Sequence, residues 1–312
     1  MKKNTGSITI DHVAAAAKVS TATVSRALNR PETVSPALKE KIHAVIKKLG
    51  YIPNAGARSL MLKRSGTIGA IVPTLDNAIF AQGLSEFQRQ LNQSGHQLLV
   101  ASSNYDPNIE ATQITNLLTR GVEGIVLFGV SQQREALKLM RTRNIPYIHV
   151  GSLSAPLNGY TSGFDNAEAI KLGVKHLLDQ GHKQFGMLSG ITANNDRAQD
   201  RVAGTLALLA EKKIYLKPEM IVECRYELQE ARLGLKKLLL NNPKITAIIC
   251  GQDVLALGAL LEAQKQGIKV PKELSIVGFD DLEISRHLLP SLTTIHIDAI
   301  GMWAHAANHL IS

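Results

Sequence analysis

The sequence predicts a small all-α helix-turn-helix domain followed by a larger α/β body with two lobes. Three observations support this fold class: a basic amino-terminal segment, short helical patterns within it, and alternating β-rich and helical segments from residue 67 onward. A chain of 312 residues is also too long for one ordinary core. We expect residues 1–50 to form the first domain, residues 51–65 a hinge and linker, and residues 66–312 the body.

The positive charge lies at one end of the chain. Residues 1–64 contain 12 Lys and Arg but only three acids, so they carry the whole formal net charge of +9. A basic domain attached to a neutral body is typical of a protein that binds a polyanion such as nucleic acid. An ordinary solvated basic terminus is the alternative interpretation.

Three short helices are predicted within the basic segment. The first has one apolar face, made of Ile10, Val13, Ala14 and Ala17. After a short break, Ser20 is a good N-cap for a second helix over residues 21–29. A third helix has Ser35 as its cap and Pro36 in its first turn, and Gly50 ends it. This spacing is typical of a helix-turn-helix bundle.

The second helix of such a bundle places its amino-terminal half in the major groove of DNA. Its expected exposed residues are Thr21, Ala22, Ser25, Arg26 and Asn29. Arg26 can bind a guanine edge with two hydrogen bonds, and Thr21 and Ala22 can contact thymine methyl groups. The alternative is a three-helix bundle that contacts protein, with Arg26 simply solvated.

The segment after the third helix can form only a short helix, which would need a binding partner to be stable. Pro53 ends the preceding structure and Asn54 can cap a helix, but that helix is very short and contains Gly56. Such a segment can fold only on binding. Leu60 would then have a place as an apolar wedge between base pairs of the minor groove.

The run from Ile10 to Leu60 closely resembles the lactose/galactose-repressor (LacI/GalR) family, above all in "VSTATVSRALN" and "LGYIPNAGARSL". The resemblance implies that Thr21, Ala22 and Arg26 occupy the main base-reading positions. It also implies a hinge helix over residues 54–60, with Leu60 as the intercalating leucine, and a homodimer on near-palindromic double-stranded operator DNA. The predicted DNA-contacting residues are Thr9, Ser20, Thr21, Ala22, Thr23, Ser25, Arg26, Asn29, Tyr51, Asn54, Arg58 and Leu60.

The pattern of segments in the body predicts parallel sheets covered by helices. Helix-sized segments such as residues 80–93, 167–178 and 254–266 separate most of the candidate strands. Some eight strands over this length suit two lobes better than one sheet. Ligands of such folds bind at the carboxyl ends of the strands. The candidate strands are residues 67–72, 97–101, 124–128, 147–150, 185–188, 220–222, 247–250 and 274–278.

The body resembles the same family, and through it the type I periplasmic-binding-protein fold, in "IGAIVPTLDNAIFAQ", "GFDNAEA", "DRVAG", "DVLALGALLEAQKQGIKVP" and "VGFDDLE". The resemblance implies a cleft that binds a small-molecule effector, such as a sugar, a sugar acid or a similar metabolite. Family members usually continue for a few dozen residues beyond "PSLTT", which implies a shortened carboxyl terminus here. The implied effector-binding residues are Asp76, Asn77 and Phe80 from one lobe, and Asp165, Arg201, Tyr226, Gln252 and Asp280 from the other.

Several of these residues have simpler interpretations. Asp165 and Asp280 can each cap a following helix, and Phe80 can be ordinary core packing. Gln252 stands where the family motif usually has Asn.

Nothing in the body predicts an enzyme. The sequence lacks a phosphate-binding GxxxxGK[ST] loop, a GxGxxG turn after a strand, an HExxH motif and a GxSxG elbow. His305 and His309 have the spacing of a metal-binding pair but no evident acidic third ligand, so we predict no metal and no cofactor. Without an apolar membrane segment or a secretion signal, we expect a cytoplasmic transcription regulator, most simply a repressor. A solute-binding transport protein and a sugar kinase with a helix-turn-helix domain are the alternatives.

Overall fold

The computed structural model describes residues 8–53, 64–154 and 159–312. Asn54, Arg58 and Leu60 of the predicted hinge lie outside these ranges. The chain forms two compact units, residues 1–66 and residues 67–312. Each unit is described by itself.

The first unit contains the three predicted helices. They are α1 (Ile10–Ala17), α2 (Thr21–Asn29) and α3 (Pro36–Leu49), with a 3-10 turn at Pro31–Thr33 between the last two. Lys18 has a left-handed backbone, with φ of 54°, and this turns the chain sharply between α1 and α2. Val13, Val24 and Ile42 are fully buried where the three helices meet. The packed apolar faces confirm the helix-turn-helix prediction.

The second unit has two lobes, each built on a parallel sheet. The first sheet has the strand order β2-β1-β3-β4-β5. Its strands are β1 (Thr67–Val72), β2 (Gln97–Ser102), β3 (Gly124–Phe128), β4 (Tyr147–Val150) and β5 (Tyr160–Ser162). The helices that follow strands here are α4 (Ala78–Gln93), α5 (Pro107–Thr119) and α6 (Arg134–Thr142). We call this part the N-lobe.

The second sheet has the order β10-β9-β8-β6-β7 and forms the C-lobe. Its strands are β6 (Phe185–Gly190), β7 (Ile221–Cys224), β8 (Ala247–Cys250), β9 (Ser275–Asp280) and β10 (Thr293–His296). Its helices are α7 (Asn166–Asp179), α8 (Asp196–Glu211), α9 (Leu228–Asn241) and α10 (Asp253–Lys265), with 3-10 turns at Pro218–Met220 and Glu283–His287.

The last helix, α11 (Ala299–Ile311), returns to the N-lobe. Its Trp303 is 1% exposed and packs 5.6 Å from the ring of Phe87, between ring centroids. Gly83 of α4 permits this close approach, because a Cβ there would lie 2.0 Å from Nε1 of Trp303. The chain therefore passes between the lobes after β5 and again after β10.

The structure contains the eight predicted strands, with shifted ends, and two that the sequence analysis missed. The missed strands, β5 and β10, have three and four residues and lie at sheet edges. An edge strand is paired on one side only and needs no continuous apolar run, so its pattern is weak.

Parallel pairing in both sheets brings the carboxyl ends of the strands to one edge of each sheet. Phe128 ends β3, Asp280 ends β9, and Gln252 follows β8. This is the edge at which ligands of such sheets bind.

Candidate functional site

A cleft lies between the two lobes at the carboxyl ends of the strands. Its empty space is about 440 Å³, the open mouth included. Five predicted effector residues line it: Phe80, Arg201, Tyr226, Gln252 and Asp280. Side chains from both lobes therefore face one cavity.

Arg201, on α8, is held rigidly within the C-lobe. Its Nε donates to Oδ1 of Asn166 at 2.9 Å, and its Nη1 donates to the carbonyl oxygen of Gly251 at 2.6 Å. The guanidinium carbon also lies 3.7 Å from the ring centroid of Phe279. These two bonds use only part of the five N–H donors, so the guanidinium keeps donors for a ligand carboxylate or hydroxyl pair.

Asp280 offers the complementary acceptor. It is 5% exposed, and its Oδ2 has no hydrogen-bond partner among the residues that the structure describes. Burial raises the pKa of the Asp280 carboxyl to about 7, although Arg201 acts in the opposite direction. A buried acceptor without a partner is costly unless something donates to it, and a ligand hydroxyl can do so.

Asn77 and Gln252 join the two lobes directly. Nδ2 of Asn77, the N-cap of α4, donates to Oε1 of Gln252 at 2.8 Å, and both side chains are buried. Oδ1 of Asn77 accepts from the backbone N–H of Ile79 at 3.3 Å. Gln252, which stands where the family motif usually has Asn, thus makes a contact across the cleft.

Asp76 and Asp165 lie outside the cavity lining. Asp76 is exposed just before α4. Asp165 is also exposed, and its Oδ1 accepts from the N–H of Glu168 at 3.0 Å as the N-cap of α7. In the structure Asp165 therefore acts as a helix cap, as the simpler interpretation proposed. Phe80 has both roles, because it lines the cleft and packs edge-on against Phe128 at 4.7 Å between ring centroids.

The sequence analysis did not predict several other cleft residues, among them Tyr105, Phe128, Asn195 and Arg197. Tyr105 comes from the N-lobe, and its ring centroid lies 5.7 Å from that of Tyr226. Arg197 precedes Arg201 by four residues on α8. That spacing places two arginines on one helix face and was the available signal.

In the first unit, α2 presents the predicted polar face. Oγ of Ser20 accepts from the N–H of Thr23 at 3.2 Å and caps the helix. Thr21, Ala22 and Arg26 are exposed, whereas Val24 and Ala27 are buried against α1 and α3. The helix is thus fixed by its inner face while its outer face stays open to a partner.

The first unit also contains other predicted DNA-contacting residues that the structure describes. Ser25 and Asn29, which were expected to be exposed, are half-buried, and Nδ2 of Asn29 donates to Oγ of Ser25 at 3.3 Å. The backbone N–H of Thr9 donates to Nδ1 of His12 at 3.0 Å, just before α1. Tyr51 is half-buried and packs against the helical core.

Two family models match the chain. Residues 9–54 match "Bacterial regulatory proteins, lacI family", and residues 65–311 match "Periplasmic binding proteins and sugar binding domain of LacI family". The chain belongs to the LacI family. The predicted family and fold class are both confirmed.

Relatives of this LacI-family chain are named repressors. It is 32% identical to the ribose operon repressor of Haemophilus influenzae, over 92% of this chain and 86% of that protein. It is also 32% identical to the transcriptional repressor CytR of Escherichia coli, over 94% of this chain and 86% of that protein. A crystal structure of a Lac repressor dimer bound to operator and the anti-inducer ONPF superposes with a TM-score of 0.86 and 28% identity, covering 98% of this chain and 92% of that one.

Family membership establishes a DNA-binding transcriptional regulator with an effector-binding body, as predicted. Among the described residues, no helix is long and apolar enough to cross a membrane. Within the same part of the chain, no three His, Cys, Asp or Glu side chains are placed to hold a metal ion.

Proposed function

We propose that this LacI-family chain is a cytoplasmic homodimeric repressor that binds a near-palindromic operator and responds to a small polar metabolite. The observation that carries the proposal is one cavity holding both Arg201, with spare donors, and Asp280, with an unpartnered buried oxygen. A hydroxylated ligand satisfies both. The dimer bound to operator in the Lac repressor structure supports the proposed assembly.

On the DNA side, α2 enters the major groove and Thr21, Ala22 and Arg26 contact base edges. Their exposure supports this role. The proposed hinge over residues 51–65 connects the DNA-binding domain, residues 1–50, to the body, residues 66–312. Asn54, Arg58 and Leu60 contact the minor groove in this proposal.

On the effector side, the ligand acts by preferring one arrangement of the lobes. Binding can shift a conformational equilibrium only through a difference in affinity between its two states. Contacts from both lobes, including Phe80 of the N-lobe and Arg201, Tyr226 and Asp280 of the C-lobe, supply that difference.

Fluorescence anisotropy with a pool of palindromic duplexes, at several salt concentrations, tests the DNA-binding proposal. We expect tight selective binding to a subset, with affinity falling steeply as salt rises. Equally weak binding to every duplex would contradict it. Size-exclusion chromatography of the same sample shows whether such a failure comes from loss of the dimer.

The effector proposal is tested on the selected duplex with a panel of sugars, sugar acids and nucleosides. We expect at least one compound to change operator affinity in the wild type, and Arg201→Ala to abolish that response while operator binding persists. Arg225→Ala, whose side chain is 64% exposed on the same lobe, is the matched control. An unchanged response in Arg201→Ala would refute the site.

A further inference from the structure

A second pair of contacts crosses the cleft, beside the effector-binding residues. The first two residues of α8 in the C-lobe, Asp196 and Arg197, meet the loop of residues 129–131 that follows β3 in the N-lobe. Neither residue belongs to the predicted effector set.

Asp196 binds this loop through several hydrogen bonds. Its Oδ1 accepts from the backbone N–H of Val130 at 3.2 Å and from the hydroxyl of Ser131 at 3.2 Å. Its own backbone N–H donates to Oγ of Ser131 at 3.3 Å. Hydrogen bonds to an ionised acceptor are about twice as strong as those between neutral groups.

The guanidinium of Arg197 occupies a small space beside Phe128 and Gly129 of the N-lobe, which we call the socket. Its guanidinium carbon lies 4.7 Å from the ring centroid of Phe128, and its Nη1 donates to Oδ1 of Asp196 at 2.7 Å. A Cβ on Gly129 would come within 1.4 Å of Nη1 of Arg197. The guanidinium therefore fits in the closed cleft because residue 129 lacks a side chain.

Both members of the pair are largely buried, with side-chain exposures of 14% for Asp196 and 8% for Arg197. The Asn77–Gln252 hydrogen bond crosses the same cleft and is also buried. Direct hydrogen bonds between the two lobes thus contribute to the closed arrangement.

We propose that Asp196 and Arg197 form a latch that closes the two lobes without an effector. They act as positioning residues that set the distance between the lobes, and Arg197 also lines the cleft. The consequence for regulation rests on the proposed function. An effector enters the cleft when the latch opens. The lobes then close around it in the arrangement that the latch already favours.

The latch can be tested by the distance between the lobes in the full-length chain without effector. Spin labels are placed on Glu135→Cys of α6 and Lys237→Cys of α9, both exposed positions on opposite lobes. The native thiols Cys224 and Cys250 are buried, and burial raises the pKa of both, so they react slowly with the label. Mixing with excess unlabelled chain removes distances between subunits, and electron double resonance reads the distance distribution.

Two glycine substitutions form a matched pair. Gly129→Ala forces Arg197 out of its socket, whereas Gly121→Ala has nothing within 4 Å of the added Cβ. Both positions have a left-handed backbone, with φ of 75° and 77°, so the backbone cost of the substitution is the same. Any difference in lobe distance between them comes from the socket.

We expect one short distance population in the wild type and in Gly121→Ala. In Asp196→Ala a longer component appears, with an open-to-closed ratio raised about tenfold or more, as losing hydrogen bonds to a charged group implies. The same longer component appears in Gly129→Ala, because the added Cβ would lie 2.6 Å from Oδ1 of Asp196 as well as against Arg197. Asp196→Asn keeps an acceptor for the loop but loses the charge, so its ratio is intermediate.

An open or mixed population in the wild type would overturn the proposal, and so would closed populations in both Asp196→Ala and Gly129→Ala. Circular dichroism of each variant confirms that the comparison is between folded proteins. Operator binding, measured separately on the same labelled chains, shows whether the proposed function itself fails.

Discussion

Asp280→Asn should change how the stability of the protein depends on pH. Asp280 is buried at the end of β9 with φ of 116°, a left-handed backbone that Asn and Asp tolerate better than most residues. Asn has nearly the same shape as Asp but cannot ionise. The substitution therefore removes a titration with little change in packing.

The size of the effect follows from the pKa of Asp280. Burial raises this pKa from its usual value near 4 to about 7 in the folded protein. Between those pH values the folded state keeps a proton that the unfolded state releases, so the free energy of unfolding falls as the pH rises. The stabilisation is fully present below the unfolded pKa, and by pH 7 about 4 kcal/mol of it is lost.

Burial sets the direction of this shift. Burial and the neighbouring Asp253 raise the pKa of Asp280, whereas Arg201 lowers it. Glu110 of the N-lobe also has a pKa raised by burial to about 7, so it contributes a slope of the same sign. Asp280→Asn should flatten the curve in part, and Glu110→Gln should flatten it further.

Urea unfolding at pH 5, 6, 7 and 8, followed by the fluorescence of the single Trp303, measures the change. Trp303 is buried in the body and reports its unfolding. We expect Asp280→Asn to be more stable than the wild type at pH 8, with the difference shrinking toward pH 5. Glu135→Gln, at an exposed position of α6, is the control. Identical slopes in Asp280→Asn and wild type would refute the reasoning.

Three further predictions concern other parts of the chain. Ser20→Ala removes the cap of α2 and should cost about 1 kcal/mol of the first unit's stability, measured by thermal unfolding followed by circular dichroism; no change would mean that the Thr23 N–H does not need this acceptor. Arg26→Ala should lose about 1–3 kcal/mol of binding to the selected operator but little to random duplexes, and equal losses on both would contradict base reading. Phe87→Ala should destabilise the body by about 3–5 kcal/mol and shift the Trp303 emission to longer wavelength, because Phe87 is fully buried against that ring; an unshifted spectrum would contradict the packing.

Much of the fold could be predicted because its signals are local. The cap at Ser20 and the left-handed stop at Gly50 act within a few residues, and the predicted bounds of α2 and α3 match the structure. The alternation of strands and helices likewise indicated parallel sheets, and the motifs indicated the family. Each of these signals depends on neighbours along the chain.

The cleft contacts that could not be predicted from the sequence join segments that are far apart along the chain. Asn77 and Gln252 are 175 residues apart, and Val130 and Asp196 are 66 apart. No local pattern states that a longer side chain at position 252 will reach the other lobe. The socket for Arg197 exists only because Gly129 is brought against it.

The sequence by itself determined the family and the fold class, and it predicted five of the residues that line the cleft. Only the tertiary structure decided which of them meet: Gln252 bonds to Asn77, Arg201 bonds to Asn166, and α11 returns to the N-lobe. The physical reason is that capping and periodicity act within a helical turn or two. A cleft, in contrast, is defined by which distant side chains the packed lobes bring within hydrogen-bonding distance.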